Sequence, residues 1–520
     1  MDYYLTRNPQ SRPFEIAAPS TLAQCAMMVS MANSFRSFHA ALAALALLVS
    51  CAVRANAAAQ TVTIDLRTTV AEPFIGAGVQ WDPYEYPPSA DGWKTTLARL
   101  DYMQPGFFRA MLGANSYWLG FDDAGNPRYA WSEGQPAGRD SLATLFGTLD
   151  YAQARKIDVM IGEWSPPRGM TPQDPRWARI IADFVNYLTT VKKYTVIKYY
   201  NYMNEPNGSW MWPNGKVDYD AWAAGTRNLR AEFDAHGLAW LRMAGPDNSG
   251  NWDWLDRCAT AFADRFGAWE MHWYAKDSDV LNGEIEKLLN QKREMLLKTD
   301  SQAASKPRFV GEAGMIEGKV NGDQQPRVKD FVYGVLMADY FAQVARAGWM
   351  GAIAWDLDDA LHAVNGRNRS NPPNDLTLKI WGFWNTQGTA MGNPKDEAPR
   401  PWFYTWSLMG RLFPKGSRIV AANAAENTPG VRALAATWKD GGAERLSVMV
   451  VNDTDEPRTF TVRAPGGGTR AMVTYRYFDN DRPVDKDGYP VVGATLPKAD
   501  LETGVSVEMP SRGVVFLTTR

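Results

Sequence analysis

The chain has 520 residues, and its 55 Lys and Arg against 57 Asp and Glu leave a formal net charge of -2. This length is greater than that of domains with a single hydrophobic core, so we expect two folded domains. The near-zero charge argues against a nucleic acid or an anionic membrane as partner, since both require a basic surface.

The first residues of the chain, 1–57, predict an exported protein. Arg36 precedes an apolar run over 40–49 and small residues at 55–57. The run is too short to cross a bilayer and has the form of a secretory signal peptide over 31–57. The alternative is a lipobox, in which Cys51 becomes the lipidated first residue of an anchored lipoprotein. Both interpretations predict a periplasmic or extracellular protein without a membrane span.

Cysteine and histidine patterns point to no metal or other cofactor. Of the three cysteines, only Cys258 lies beyond the predicted leader, so the folded part has no internal disulfide. The four histidines show no HExxH spacing and the chain has no CxxC, which are the patterns typical of zinc sites.

From residue 74 onward, short apolar strands alternate with amphipathic helices. Asp174-Pro175, for example, combines an N-cap with a proline at the first helical position, ahead of apolar residues at helical spacing. The predicted strands are 74–81, 106–111, 157–164, 197–205, 241–247, 269–274, 308–314 and 351–359.

Eight strand–helix units over 74–415 predict a (β/α)8 TIM barrel. A doubly wound open sheet is the alternative, but no GxGxxG or P-loop supports it. From 416 to 520 the helical period disappears, and short strands separated by Gly, Pro, Asn and Asp predict an antiparallel β-sandwich. A strand within 60–68 is a candidate addition to that sandwich.

Two carboxylates end strands that lie across the mouth of such a barrel. Glu205 ends the fourth strand in "NEP" and Glu312 ends the seventh in "GEAG". Active sites of TIM barrels form at these strand ends, and a facing pair of carboxylates is what glycoside cleavage requires. We expect enclosure to raise the pKa of Glu205, the acid/base, and Glu312 to be the ionised nucleophile.

With three further motifs, the chain resembles the retaining glycoside hydrolases of clan A, which include the cellulase-like family 5 and families 30 and 39. The motifs are "NEP" (204–206), "GEAG" (311–314), "HWY" (272–274), Arg109 in "FFRAM" and Trp355 in "IAWD". The C-terminal sandwich resembles that of families 30 and 39, whereas the nucleophile turn resembles that of family 5.

The resemblance implies a role for each matched residue. Asn204 binds the sugar 2-hydroxyl, Arg109 keeps the nucleophile ionised and Tyr274 donates to it. His272 lines the subsite, and Trp355 forms the floor beneath the cleaved sugar.

Further candidates for substrate binding come from loop-like aromatic residues and from other strand ends. Trp81, Trp164 and Trp210 offer flat apolar faces on which sugar rings stack, although core packing explains such residues equally well. Glu163 ends the third strand and is a candidate for binding sugar hydroxyls.

The sequence thus predicts a secreted retaining glycoside hydrolase acting on a β-linked poly- or oligosaccharide, endo-acting and glucanase-like. An exo-acting β-glycosidase, such as a glucosidase, xylosidase or arabinosidase, is the alternative within the class. A non-catalytic carbohydrate-binding protein on the same barrel is the alternative outside it.

Overall fold

The computed structural model describes residues 59–132, 140–364, 376–424 and 428–519. The predicted leader, with Cys51, lies outside these residues. No helix in the described ranges is both long and apolar enough to cross a membrane.

Nineteen strands run through the described part of the chain. In chain order they are β1 (Gln60–Ala71), β2 (Gly76–Gln80), β3 (Phe107–Leu112), β4 (Trp118–Phe121), β5 (Pro127–Tyr129), β6 (Asp158–Glu163), β7 (Ile197–Asn201), β8 (Arg242–Ser249), β9 (Ala268–Ala275), β10 (Arg308–Met315), β11 (Gly351–Ala354), β12 (Arg418–Ala424), β13 (Val431–Asp440), β14 (Ala443–Asn452), β15 (Arg458–Arg463), β16 (Thr469–Tyr477), β17 (Ala494–Asp500), β18 (Val505–Met509) and β19 (Gly513–Thr518).

Nine α-helices accompany them in the same ranges. They are α1 (Ala90–Met103), α2 (Asp140–Arg155), α3 (Pro175–Asn186), α4 (Tyr219–Ala235), α5 (Asp253–Ala261), α6 (Asp277–Leu281), α7 (Glu284–Thr299), α8 (Phe331–Arg346) and α9 (Pro401–Leu412). The predicted cap of α3 is present: the Asp174 side chain accepts the N–H of Arg176, and Pro175 opens the helix.

Eight strands close into the predicted barrel, in the order β10-β11-β2-β3-β6-β7-β8-β9, and all neighbouring pairs are parallel. At the start of the strands, an apolar plug that includes Phe107, Tyr199 and Phe309 fills the lumen. Farther along, the lumen becomes polar, because inward positions carry Arg109 and other charged side chains. The plug therefore closes one end of the barrel and leaves the other for a site.

The C-terminal domain is the predicted β-sandwich, hydrogen-bonded as one nine-stranded sheet in the order β17-β16-β19-β14-β13-β12-β1-β15-β18. Its pairs are antiparallel except β1 with β15. Alternation along β14 places Val448 and Val450 in the core of the sandwich, whereas Met449 and Val451 belong to the larger core of the barrel. The sheet thus has two buried faces, one of them against the barrel.

Candidate active site

The C-terminal ends of the barrel strands bring seven of the predicted site residues to one mouth. Arg109 lies on β3, Asn204 and Glu205 follow β7, His272 and Tyr274 lie on β9, Glu312 lies on β10 and Trp355 follows β11. The chain turns sharply at Glu205, whose φ of 38° lies in the left-handed region. The backbone N–H of Glu205 donates to Asp247 Oδ2 at 3.2 Å, which supports this turn.

Arg109 is the centre of the hydrogen-bond network and is completely buried. Its Nη1 donates to Glu312 Oε1 at 2.5 Å and to Gln80 Oε1 at 2.8 Å. Its Nη2 donates to Asn204 Oδ1 at 2.8 Å and to Asp247 Oδ2 at 3.0 Å. One guanidinium therefore orients the predicted nucleophile and the amide beside the predicted acid/base.

Tyr274 holds the other oxygen of the predicted nucleophile. Its hydroxyl donates to Glu312 Oε2 at 2.5 Å, and Arg109 takes Oε1. Both carboxylate oxygens of Glu312 are thus bound by donors, which fixes the orientation of the carboxylate in the mouth.

His272 lies between the two glutamates. Its Nδ1 is 3.1 Å from Glu205 Oε1 and 3.4 Å from Glu312 Oε2. An oxygen of Glu205 and an oxygen of Glu312 lie within 4.8 Å of each other. His272 contacts both glutamates and is completely buried, so it leaves no surface for a sugar. The expectation that it lines the subsite is therefore wrong.

The pKa values of the two glutamates differ from the sequence-based expectation. Burial raises the pKa of Glu312, and the charges of His272 and Arg109 offset this only in part. Burial also acts on Glu205, but the hydrogen bond and charge of His272 outweigh it and the pKa of Glu205 is lowered. The expectation fails because it placed no cation beside Glu205. Both shifts are thus opposite to those expected for an acid/base at Glu205 and a nucleophile at Glu312.

An aromatic floor borders the glutamates. The Trp355 ring, 4% exposed, stacks on His362 at 5.2 Å and 12°, and Trp164 meets the Trp355 ring edge-on at 6.2 Å. Trp210 lies at the rim with 67% of its surface exposed, and its Nε1 donates to Glu205 Oε2 at 3.2 Å. Trp164, Trp210 and Trp355 are thus placed together around the mouth.

Two of the residues predicted to bind the substrate, Trp81 and Glu163, do not line the mouth of the barrel. Trp81 is completely buried and packs against Trp93 and Phe108, because successive residues of a strand face opposite sides and Gln80, not Trp81, faces the lumen. Glu163 is completely buried and accepts the Tyr117 hydroxyl at 2.7 Å. Neither side chain is accessible to a sugar, so both expectations are wrong.

Gln80 and Glu270 belong to the site but are not among the residues predicted from the sequence. Gln80 orients Arg109, and the fully buried Glu270 lies 3.3 Å from His272 Nε2. The signal for Glu270 was available, since it precedes His272 and Tyr274 by two and four residues and a strand turns such positions to one face.

Two groups of side chains bring three ligand-type atoms within 4.8 Å of one another among the described residues. One is Glu205, His272 and Glu312, and the other is Asp247, Glu270 and His272. Both groups depend on His272, whose two nitrogens each already face a carboxylate, and the Arg109 guanidinium adjoins both. This positive charge disfavours a further cation in either group.

No family model and no curated protein sequence matches the chain. Solved structures do. A GH30 endoxylanase from Clostridium papyrosolvens C71 has 14% sequence identity and a TM-score of 0.59, with 88% of this chain and 99% of that chain covered. A GH39 enzyme from Xanthomonas axonopodis pv. citri has 15% identity and a TM-score of 0.59, covering 90% and 98%.

The chain has the fold of glycoside hydrolase families 30 and 39. A monomeric β-xylosidase from Caulobacter crescentus CB15 also has it, at 15% identity, a TM-score of 0.58, and coverage of 88% and 99%. The resemblance expected from the motifs and the C-terminal sandwich is thereby confirmed at the level of fold. What the site does follows from its own geometry.

Proposed function

We propose that the protein is a retaining glycoside hydrolase that cleaves β-linked sugars by double displacement. The observation that carries the proposal is the pair formed by Glu205 and Glu312, with carboxylate oxygens within 4.8 Å at the mouth of the barrel. Retaining enzymes hold their two carboxyl groups about 5 Å apart, whereas inverting enzymes leave about 6.5–9.5 Å for a water molecule.

Glu312 is the nucleophile in this proposal. Arg109 and Tyr274 each donate to one of its oxygens, and their donors stabilise the carboxylate that attacks the sugar. Glu205 is the acid/base: it lies nearer the rim, 9% exposed, where a leaving group departs and water enters. Asn204, fixed by Arg109, is placed to bind a sugar hydroxyl beside it.

For the substrate we propose a β-linked polysaccharide of the xylan or glucan type, cleaved internally. An exposed aromatic face at Trp210, bonded to Glu205, suits a sugar unit beyond the cleaved bond. Structures of the same fold include an endoxylanase and a β-xylosidase, which supports xylan as the first substrate to test. The β-xylosidase also keeps exo action as the second candidate.

The roles of the glutamates are tested with two leaving groups. We expect Glu312→Ala to abolish turnover of every substrate. We expect Glu205→Ala to lose about 100-fold or more on a natural disaccharide, but far less on a dinitrophenyl glycoside, whose leaving group needs no proton. Steady-state kinetics, with NMR of the first-formed anomer, measures both the roles and retention.

Glu163→Gln is the matched control, because it alters a buried carboxyl near the mouth that contacts neither glutamate. Hydrolysis that persists in Glu312→Ala would contradict the nucleophile assignment. Binding of xylan or glucan without any hydrolysis by the wild-type protein would instead favour the non-catalytic alternative. Product lengths from a panel of xylans, β-glucans, mannans and arabinans decide between endo and exo action.

We also propose that the protein is exported through its N-terminal leader. The apolar run over 40–49 and the small residues at 55–57 support a cleaved signal peptide. Mass spectrometry of the exported protein is expected to find a mature N-terminus just after 55–57. A diacylated Cys51 at the N-terminus would establish the lipoprotein alternative.

A further inference from the structure

Trp210 combines an exposed ring with a directed polar contact. The side chain is 67% exposed, yet its Nε1–H donates to Glu205 Oε2 at 3.2 Å. The other oxygen of that carboxyl group, Oε1, lies 3.1 Å from His272 Nδ1. The proposed acid/base is therefore held from two sides, by a buried ring on a barrel strand and by an exposed ring at the rim.

Gly208 leaves the space in which the Trp210 ring lies. A Cβ at position 208 would be 2.3 Å from Trp210 Cζ2 and 2.4 Å from Cε2, closer than two carbon atoms can pack. The backbone of Gly208, with φ of -95° and ψ of 126°, is one that any residue adopts. The absence of a side chain there thus serves the close approach of the ring, and any larger residue would push the indole out of this place.

The chain is anchored on both sides of Trp210. Asn207 Nδ2 donates to the Ser249 carbonyl at 2.7 Å, and the Ser249 N–H donates to Asn207 Oδ1 at 3.0 Å. Trp212 is 7% exposed, and its Nε1–H donates to the Pro206 carbonyl at 2.7 Å. Because the backbone is fixed before and after it, the exposed ring of Trp210 has a defined position beside the acid/base.

The contact between Trp210 and Glu205 is compatible with both steps of the proposed reaction. A carboxyl oxygen offers more than one hydrogen-bonding position, so Oε2 can keep the indole N–H while it faces the oxygen of a leaving sugar. The ionised group that later activates water accepts the same N–H. A flat indole face also suits a sugar ring, so a sugar stacked on Trp210 would lie beside the oxygen that protonates it.

We propose that Trp210 couples the leaving-group sugar to the acid/base: the ring face binds that sugar, and Nε1–H orients Glu205 Oε2 toward its oxygen. Trp210 forms and breaks no covalent bond, and acts on the reaction as a positioning residue through Glu205. It thereby sets a preference for substrates whose leaving group is itself a sugar. The inference rests on the proposed function and adds to it a determinant of leaving-group specificity.

The kinetic test uses Trp210→Phe, which keeps a flat face but removes the N–H. We expect kcat/KM to fall about tenfold on xylotriose, whose leaving sugar needs a proton, and less than about threefold on dinitrophenyl β-xyloside, whose leaving group needs none. Trp210→Ala also removes the face, so on xylotriose it should lose about 100-fold and raise KM as well. Equal losses on both substrates in Trp210→Phe would overturn the proposal.

Two further variants separate the position of the ring from its presence. Gly208→Ala keeps the indole but displaces it, so kcat/KM on xylotriose should fall at least as far as in Trp210→Phe. Trp240→Phe is the matched control, because Trp240 is 50% exposed and precedes β8, at the end of the barrel away from the site. Its ratio of the two rates should equal that of the wild type. A wild-type rate on xylotriose in Gly208→Ala would contradict the proposed role of the ring.

The hydrogen bond is tested without any substrate, so that failure of the coupling and failure of the proposed function give different results. In ¹H–¹⁵N NMR spectra, the Trp210 indole signal is the one that Trp210→Phe lacks. Glu205→Ala removes the acceptor and should shift this signal upfield, while the Trp240 signal stays in place. A Trp210 signal that does not respond to Glu205→Ala would overturn the coupling, whereas a wild-type protein that hydrolyses no glycoside would overturn the proposed function.

Discussion

Glu163 shows what complete burial does to a single carboxyl group near the site. It accepts the Tyr117 hydroxyl at one oxygen, but its Oε2 has no hydrogen-bond partner among the described residues. Burial raises its pKa to about 8, against 4.5 in its ordinary environment. Between these two values, the folded state holds a proton that the unfolded state releases, so ionisation opposes folding as the pH rises.

Replacing Glu163 by glutamine should remove this pH dependence. We expect Glu163→Gln to match the wild type near pH 4.5 and to be more stable by on the order of 4 kcal/mol at pH 8. Thermal unfolding at pH 4.5, 6 and 8 measures the difference. Asp220→Asn, at a side chain that is 95% exposed, is the control and should change stability by less than about 0.5 kcal/mol. A difference that stays constant with pH would contradict a protonated Glu163.

Successive side chains of a strand face opposite sides of the sheet, and this decides whether a predicted residue reaches the site. Arg109, Tyr274 and Glu312 lie on barrel strands and Glu205 lies just beyond one, and Arg109 and Tyr274 both contact Glu312. Trp81 lies one residue after the inward-facing Gln80 and therefore faces away from the lumen. Whether a side chain enters the lumen depends on the register of the closed sheet, which one strand's sequence does not contain.

At the scale of elements, β1 is an N-terminal strand that belongs to the C-terminal sandwich. It lies inside the sandwich, antiparallel to β12 and parallel to β15, although it precedes the whole barrel in sequence. Its alternating residues Val62 and Ile64 are completely buried in the sandwich core, while Thr63 between them is exposed. A strand in the middle of the sheet cannot be removed without leaving two unpaired edges.

Substitutions on β1 should therefore destabilise the sandwich according to the face they alter. We expect Ile64→Ala to lower the free energy of unfolding by about 2–5 kcal/mol, because it opens a cavity in the core. Thr63→Ala, the control on the neighbouring exposed position, should cost less than about 1 kcal/mol. Urea denaturation measures both. Similar losses for the two variants would place β1 outside the core.

Two barrel strands end earlier than their sequence suggests. The pattern predicts strands to 205 and 359, but β7 ends at Asn201 and β11 at Ala354. The residues beyond these ends, Glu205 and Trp355 among them, have left the sheet to form the mouth. Composition alone does not mark this departure, because apolar and aromatic residues continue past the last ladder hydrogen bond.

At the scale of the whole molecule, α8 binds the barrel to the sandwich. Its residues from Tyr333 to Ala345 are all buried, between the barrel on one side and the sheet on the other. Within that interface, Arg432 of β13 lies 3.5 Å from Asp339 of α8 and donates to the carbonyl of Leu281 at 3.1 Å. Because the two domains share this helix, we expect them to unfold together.

The ion pair at this interface predicts how their shared stability depends on pH. Burial raises the pKa of Asp339 to about 6 even with Arg432 beside it, so removing Arg432 must raise it further. At pH 8 the folded protein must either ionise an unpaired Asp339 in the interface or hold a proton that the unfolded chain releases, and both oppose folding. At pH 5 this cost is smaller. We expect Arg432→Met to cost about 3–5 kcal/mol at pH 8 and clearly less at pH 5, in one calorimetric transition. Adding Asp339→Asn should restore most of the loss at pH 8, because no charge is then left unpaired. Two separate transitions, or an equal loss at both pH values, would show that the domains do not depend on this pair for a common fold.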